Sequence, residues 1–140
     1  MKLEQSYGAV LFKGKEVLIE YMTLGHISIP KGHVEGKETP VQTAKREIKE
    51  EVNLVADIDT NYEYQTGYCP KEGVYKKVSF FLGLYKSGEI KCQLSEVESA
   101  KFMSVGEALK ILTYESDREA VKGAFEYLEK HYHVWEIMFI

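Results

Sequence analysis

Apolar residues in the first part of the chain follow the pattern of two short β-strands. Residues 7–12 and 16–22 are rich in aliphatic and aromatic side chains, and Lys13-Gly14-Lys15 separates them with turn-forming residues. Two such runs around a short glycine turn predict a β-hairpin. The more polar residues 23–28 predict a loop that leads to Ile29-Pro30, where the proline fixes the approach of the chain to the next segment.

The apolar period then becomes helical. Thr39 and Gln42 form the pattern of a capping box with Pro40 at the first helical position, which predicts a helix that begins there and continues to about residue 52. Asn53 suits the left-handed residue that ends a helix. One apolar stripe recurs at intervals of three and four residues and is expected to face a core; it consists of Val41, Ala44, Ile48 and Val52.

The second half of the chain returns to strand-like patterns. Residues 54–65 and 74–85 are rich in valine, isoleucine, tyrosine and phenylalanine, which predicts two long strands. Between them, residues 66–73 are polar and contain Pro70 and Gly73, which predicts a loop. Residues 89–94 form either a further short strand or an extended connection.

The last part of the chain predicts one more strand and two helices. Residues 99–103 form the strand, Ser104 caps a helix through about residue 112, and residues 117–131 form a final amphipathic helix. Strands on both sides of a central helix, with a long helix near the end, predict an α/β fold with a mixed sheet packed between helices.

Composition limits the classes of protein that fit. A chain of 140 residues with 44% hydrophobic residues is expected to form a single domain over residues 1–140. The net charge of −4 and the absence of a basic cluster argue against a long nucleic acid as partner. No apolar run approaches the roughly 20 residues that span a bilayer, and the first residues lack the apolar core of a signal peptide, so we expect a cytoplasmic protein without a membrane partner. Cys69 and Cys92 are compatible with free thiols.

Three glutamates crowd together on the central helix. Glu47, Glu50 and Glu51 are neighbours at helical spacing and lie off the apolar stripe. Their mutual repulsion is relieved by a bound divalent cation, and Mg²⁺ (or Mn²⁺) prefers carboxylate oxygens together with the phosphates of a substrate. The alternative is a solvated acidic face that pairs with Lys45 and Lys49.

These glutamates belong to a longer pattern of fixed spacing. Gly32 is followed after five residues by Glu38 and, after seven more, by Arg46-Glu47-Ile48-Lys49-Glu50-Glu51-Val52-Asn53-Leu54. This pattern resembles the signature of the Nudix hydrolases, G-x5-E-x7-R-E-U-x-E-E-x-G-U with U aliphatic, and departs from it only at Asn53, where the family has glycine. The resemblance covers about residues 4–131 and implies an α/β/α sandwich and the metal-dependent hydrolysis of a small nucleotide.

Residues outside this signature are similar to one branch of the family, the diadenosine tetraphosphate (Ap4A) hydrolases. The segment Pro30-Lys31-Gly32-His33-Val34-Glu35 resembles their approach to the signature, although Gly36-Lys37 stands where proline-glycine is common. Residues 76–82 resemble the strand whose lysine reaches the polyphosphate, a role carried to Lys76 with Lys77 as competitor.

Two further stretches extend this resemblance. Residues 94–96, followed by Phe102, are similar to a family stretch in which a glutamate precedes a tryptophan. This similarity makes Glu96 a candidate extra metal ligand or base. Residues 108–114 resemble the helix and turn that carry the base-stacking tyrosine, which gives that role to Tyr114. Tyr68 also presents a flat face suited to a purine.

The expected mechanism is metal-assisted hydrolysis of a phosphoanhydride. The metal ligands are expected to be Glu47, Glu50 and Glu51, with the Gly32 carbonyl and Glu96 as further candidates. The base remains open among Glu47, Glu50 and Glu96, and Arg46 is expected to hold the glutamates in place. Protein cations for the phosphates would come from Lys31, His33 and Lys76.

Several alternatives remain open at this point. An Ap4A-like substrate would give ATP and AMP, whereas a MutT-like enzyme would cleave a nucleoside triphosphate, and a sugar nucleotide or a capped RNA 5′ end would suit the signature equally. A Nudix-fold module that binds a nucleotide without cleaving it is the alternative from another class. The apolar residues 133–140 either pack back on the domain, which favours a monomer, or form a dimer contact.

Overall fold

The structure, a computed structural model, describes residues 1–132, and in them a mixed sheet is packed between helices. The strands are β1 (Lys2–Lys13), β2 (Glu16–Met22), β3 (Ile27–Ser28), β4 (Lys31–His33), β5 (Val55–Lys71), β6 (Val74–Ser87) and β7 (Val97–Ser104). The helices are α1 (Pro40–Val52), α2 (Val105–Ile111) and α3 (Glu115–His131). The apolar segment 133–140 lies outside the described residues.

The sheet is built around one parallel pair of strands. Its order is β3-β2-β1-β6-β5, with β4 also paired to β1 and β7 also paired to β2. Strands β1 and β6 run parallel over eleven residue pairs, while the remaining pairings are antiparallel. The predicted hairpin of β1 and β2 and the mixed character of the sheet are therefore confirmed.

Two apolar clusters cover the two faces of the sheet. Alternate residues of β1 point to opposite faces, so Val10 and Phe12 pack with α2 and α3 while Ala9 and Leu11 pack with Ile48 of α1. This arrangement is the α/β/α sandwich that the sequence predicts. None of the helices in residues 1–132 is long and apolar enough to cross a membrane.

Both ends of α1 follow the sequence signals. The Thr39 side chain accepts a hydrogen bond from the Gln42 backbone N–H, and the Gln42 side chain accepts one from the Thr39 backbone N–H. At the other end Asn53 has φ 64° and donates its backbone N–H to the Lys49 carbonyl. Asparagine thus takes the left-handed conformation that glycine adopts most easily, and the predicted helix is confirmed.

The predicted loop at residues 66–73 is wrong for residues 66–71, and only residues 72–73 form a turn. Strand β5 continues to Lys71, and Gly67 and Tyr68 pair with Lys77 and Lys76 of β6. The long partner strand supplies backbone hydrogen bonds along this stretch, and those bonds outweigh the local turn signals of glycine and proline.

Smaller differences concern the connections. Residues 27–28 form the short strand β3 rather than part of a loop, because they pair with β2. Residues 89–94 form an extended connection, in which Lys91 and Gln93 donate backbone N–H groups to carbonyls at the end of α1. Helix α3 begins at Glu115, two residues before the predicted start.

Candidate active site

The glutamates of α1 divide between a buried and an exposed position. Glu47 and Glu51 retain 9% and 2% of their accessible surface, whereas the side chain of Glu50 is 46% exposed. Glu47 and Glu51 are thus buried beside the apolar stripe of α1, and of the three only Glu50 is solvent-exposed as an acidic surface residue would be. Glu47 and Glu51 lie one turn apart on the same face of α1, where Glu47 lies against Gly32 of β4 and Glu51 lies beside Glu20 of β2.

Arg46 joins these glutamates to the segment before the helix. Its Nε donates to Glu38 Oε2 at 2.7 Å, and its Nη1 donates to Glu47 Oε1 at 2.8 Å and to Glu50 Oε2 at 3.1 Å. Its Nη2 donates to the His33 carbonyl at 2.8 Å. The Arg46 guanidinium lowers the pKa of Glu38 to about 2. The rigid fork of an arginine therefore fixes the positions of several carboxylates at once.

Gly32 allows a close approach between β4 and α1. It pairs with Tyr7 of β1, and a Cβ atom built on it would overlap the carboxylate of Glu47. Any larger residue would displace that carboxylate from its contact with Arg46. The glycine at the start of the signature therefore makes room for its first helical glutamate.

A fourth glutamate, which the sequence analysis missed, lies beneath this group. Glu20 of β2 is 1% exposed, and within residues 1–132 its Oε2 atom and the Oε1 atom of Glu51 are buried without a hydrogen-bond partner. Burial raises the pKa of both groups, and the negative charge of Glu20 raises that of Glu51 further. The signal in the sequence that could have identified Glu20 is its position directly after the apolar run Val17-Leu18-Ile19. We call Glu20, Glu47, Glu50 and Glu51 the carboxylate cluster.

A cavity of ≈ 670 Å³ opens in front of the carboxylate cluster. It brings together eight residues that the sequence analysis singled out: Lys31, Gly32, His33, Glu47, Glu50, Glu51, Lys76 and Glu96. Strand alternation directs Lys76 and its neighbour Lys77 to opposite faces of β6, and Lys77 does not line this cavity. The arrangement therefore favours Lys76 over its competitor.

A second cavity of ≈ 380 Å³ adjoins the first, and the two share Lys31 and His26. Tyr68 and Tyr114 line it and are 49% and 52% exposed. Tyr68 lies on β5 and not in a loop, contrary to the prediction. Asp117 also lines this cavity and is 4% exposed. We call the space lined by Tyr68, Tyr114, His26 and Asp117 the tyrosine cleft.

Two residues of the tyrosine cleft were not singled out from the sequence. The His26 ring lies 5.9 Å from the Tyr114 ring, centroid to centroid. Burial raises the pKa of Asp117 to about 6, an effect that the positive charges of Lys31 and Arg118 reduce. Neither residue belongs to a sequence motif, because α3 and the loop after β2 meet only in the folded chain.

Arg46 and the carboxylates that could bind a cation have different surroundings. Arg46 lines neither of the two cavities and lies behind Glu47 and Glu50, so its contacts are with protein groups. In residues 1–132 no three acidic, histidine or cysteine side chains already form a closed metal cluster. The buried, unpartnered oxygens of Glu20 and Glu51 are nevertheless hard ligands of the kind that Mg²⁺ and Mn²⁺ prefer, so the donor set fits a divalent cation.

Comparisons with known proteins agree with this geometry. The family model described as NUDIX domain matches residues 2–123. The asymmetrical bis(5'-nucleosyl)-tetraphosphatase of Caenorhabditis elegans is 31% identical over 116 residues, which cover 76% of this chain and 83% of that protein. A putative mutator protein MutT4 of Mycobacterium tuberculosis (strain CDC 1551 / Oshkosh) is 30% identical over 105 residues. That match covers 74% of this chain but only 42% of the mycobacterial protein.

A solved structure extends the likeness to three dimensions. The crystal structure of a C. elegans Ap4A hydrolase binary complex superposes with a TM-score of 0.79 at 25% sequence identity, over 91% of this chain and 98% of the other. Nudix hydrolases generally use divalent metal ions and act on small nucleotide substrates, in line with the carboxylates and cations of the larger cavity. The family match, the fold and the relatives together show that this chain belongs to the Nudix family and is a hydrolase.

Proposed function

We propose that this protein hydrolyses a phosphoanhydride bond of a nucleoside polyphosphate, with diadenosine tetraphosphate as substrate and ATP and AMP as products. The observation that carries this proposal is the junction of the two cavities at Lys31. A polyphosphate beside the carboxylate cluster would extend directly to a base in the tyrosine cleft. The likeness to the C. elegans tetraphosphatase and Ap4A hydrolase supports the same substrate class.

The metal site would use the groups that line the larger cavity. Glu47, Glu50 and Glu51 would hold Mg²⁺ or Mn²⁺, with the Gly32 carbonyl and Glu96 as further ligands. When bound, the cation polarises the phosphate and lowers the pKa of a coordinated water. The protein's own contribution is to hold the carboxylates in fixed places, which Arg46 does through its hydrogen bonds.

A carboxylate must accept the proton as the water attacks phosphorus in line with the leaving phosphate. The candidates are Glu47, Glu50 and Glu96, which all line the larger cavity. Glutamate-to-glutamine variants at the three positions separate them. The base variant loses the acidic limb of the profile of kcat/KM against pH, whereas a ligand variant weakens metal binding and keeps that limb.

Basic side chains that line the larger cavity would bind the phosphates. A chain of four phosphates carries about four negative charges, which charge-assisted hydrogen bonds from lysine side chains offset. Lys31 is placed to contact the phosphates nearest the base, because it lines both cavities. Lys76 and His33 line the larger cavity but not the tyrosine cleft, and they would contact phosphates nearer the metal.

The nucleoside would bind in the tyrosine cleft. Tyr68 and Tyr114 expose about half of their surfaces, which leaves their flat faces available for stacking on a purine. Stacking of a base on an aromatic side chain contributes roughly 1–3 kcal/mol and tolerates different bases. The tyrosines would therefore provide affinity for the nucleoside, while the carboxylate cluster carries out the chemistry.

A second candidate function is the hydrolysis of a nucleoside triphosphate. The likeness to the mycobacterial putative mutator protein favours it. The non-catalytic binding module remains the alternative from another class, and metal-dependent turnover separates it from both enzymes.

The first experiment is the hydrolysis of Ap4A with Mg²⁺, analysed by chromatography beside dATP, 8-oxo-dGTP and ADP-ribose. Equal amounts of ATP and AMP, formed faster than the other products and abolished by EDTA, are the expected result. Preferred turnover of dATP or 8-oxo-dGTP would replace the proposal by the MutT-like function. Binding without turnover in any metal would leave only the binding module.

The oligomeric state and location remain predictions. A monomer is favoured, and the segment 133–140 would be the dimer contact if one forms. Sedimentation of the full chain beside a variant that ends at Tyr132 tests this, because loss of a dimer on truncation would contradict the monomer. We keep the expectation of a cytoplasmic protein that binds neither a membrane nor a long nucleic acid.

A further inference from the structure

Glu20 occupies a strand position that would otherwise bury an apolar residue. Positions 18 and 20 of β2 point to the same face of the sheet, and Leu18 packs there with Ile48 and Val52 of α1. Glu20 is 1% exposed, as deeply buried as these aliphatic neighbours. A leucine or isoleucine at this position would bury more apolar surface and leave no polar group to satisfy.

The surroundings of Glu20 carry more negative than positive charge. The negative charges of Glu47 and Glu96 and the positive charge of Lys31 act on it, and the Glu51 carboxyl group lies within hydrogen-bonding reach of it. Arg46 is engaged with Glu38, Glu47 and Glu50 and offers Glu20 no ion pair among the described residues. Among the described residues, Glu20 is therefore surrounded by more negative than positive groups.

Two oxygen atoms mark where that charge is missing. Glu20 Oε2 and Glu51 Oε1 are fully buried, and among residues 1–132 neither accepts a hydrogen bond. The two carboxyl groups are close enough to interact directly with each other. Burial of polar oxygens without a partner destabilises the folded state, and a bound cation removes that cost.

We propose that Glu20 is a further carboxylate of the metal site, which binds a divalent cation together with Glu51 from the sheet side of the cluster. This inference rests on the proposed metal-dependent function and adds a residue that lies outside the Nudix signature. Glu47, Glu50 and Glu51 reach the site from α1, whereas Glu20 reaches it from β2. Cation binding would thus connect the helix to the sheet as well as hold the substrate.

A metal site that includes Glu20 would make the stability of the folded state depend on the cation. Without metal, Glu20 and Glu51 oppose folding because two carboxyl groups are buried together with unpartnered oxygens. With metal, the same oxygens become ligands, and the folded state is stabilised in proportion to the cation's affinity for it. Removal of Glu20 should therefore stabilise the metal-free protein and weaken the response to metal.

The test compares Glu20→Gln and Glu20→Leu with the wild-type chain and with Glu16→Gln as control. Glu16 lies on the same strand and is exposed, so the control removes the same charge away from the cluster. Mn²⁺ affinity is measured by titration calorimetry and by the electron paramagnetic resonance signal of free Mn²⁺, without substrate. Melting temperatures with EDTA and with saturating Mg²⁺ give a second readout that is independent of turnover.

We expect both Glu20 variants to bind Mn²⁺ about 10- to 100-fold more weakly, the range found when groups that support a metal site are removed. Their melting temperature in EDTA should rise, while that of Glu16→Gln should stay unchanged. Wild-type affinity in both folded Glu20 variants would overturn the role of Glu20 and leave the proposed function intact. Absence of specific Mn²⁺ binding by the wild-type chain would overturn both together.

Discussion

The carboxylate cluster and the tyrosine cleft are adjacent, yet they are constructed in opposite ways. In the carboxylate cluster, Arg46 holds Glu47 and Glu50 through hydrogen bonds of 2.8 and 3.1 Å, and the Glu47 carboxylate occupies the space that a side chain at position 32 would fill. In the tyrosine cleft, Tyr68 and Tyr114 are about half exposed. One region is fixed by charge, and the other presents open aromatic surfaces.

Under the proposed function, this difference would separate the groups that carry out the chemistry from those that select the substrate. Stabilisation of charge at phosphorus requires groups that do not reorganise during the reaction. A cluster whose carboxylates are held by hydrogen bonds provides such groups. Stacking on a base requires only a flat face at the right distance, and it tolerates movement and different bases. We therefore expect changes in the carboxylate cluster to affect kcat and changes in the tyrosine cleft to affect KM.

The largest effect is expected from Glu51→Gln. Loss of this buried carboxylate would remove a proposed metal ligand, and we expect kcat to fall by about 10³-fold or more, since both metal activation and proton transfer are proposed to depend on the cluster. The fold should be retained because glutamine has the same shape. Steady-state kinetics with Ap4A and circular dichroism measure the two effects. Glu98→Gln, on an exposed position of β7, is the control, and near-normal turnover by Glu51→Gln would exclude the metal assignment.

A smaller loss is expected from Gly32→Ala. The added Cβ overlaps the Glu47 carboxylate and must push it out of place, and misplacement by about 1 Å can reduce a rate by about 10²-fold. Gly106→Ala is the matched control, because a Cβ on that glycine of α2 meets no atom within 4 Å. If the two alanine variants have equal kcat, the Glu47 carboxylate does not need its present position.

The tyrosine cleft should respond through KM. Tyr114→Ala removes one stacking face, and a loss of roughly 1–3 kcal/mol corresponds to an increase in KM of about 5- to 150-fold with little change in kcat. Tyr114→Phe keeps the ring and should behave like the wild-type protein. A fall in kcat with constant KM would mean that Tyr114 contributes to the reaction and not to base binding.

The smallest effect concerns stability and pH at Asp117. Burial raises the pKa of Asp117 from 3.8 to about 6 in the folded protein, so between these values the folded state holds a proton that the unfolded state has lost. Stability contributed by that proton is present below about pH 4 and is lost as the pH rises through 6. Asp117→Asn should therefore be more stable than the wild-type protein at pH 7.5 and equal to it near pH 4.

Urea unfolding of both proteins across this pH range measures the difference. Glu126→Gln, an exposed change on the same helix, serves as the control for the loss of a negative charge. A difference between Asp117→Asn and the wild-type chain that is independent of pH would show that the carboxyl group does not titrate in this range.

Local signals in the chain predicted the central helix and the fold class. The capping box at Thr39, the proline at position 40 and the left-handed Asn53 act between neighbouring residues, so they can be recognised without tertiary contacts. The fixed spacing from Gly32 to Glu51 likewise identified the family, because that spacing belongs to one loop and one helix. The strand at residues 66–71 was missed because its partner, β6, overrides the local turn residues.

The sequence alone therefore predicted the helix that carries the carboxylates, the strands on both sides of it and the assignment to the Nudix hydrolases. The folded structure was needed to place Glu20 beneath Glu51, His26 beside Tyr114 and Asp117 in the same cleft as Tyr68. The two residues of each pair are distant in the chain. They meet because the fold places β2 under α1 and places α3 near the end of β5. Packing between elements decides such contacts, and a local pattern contains no information about them.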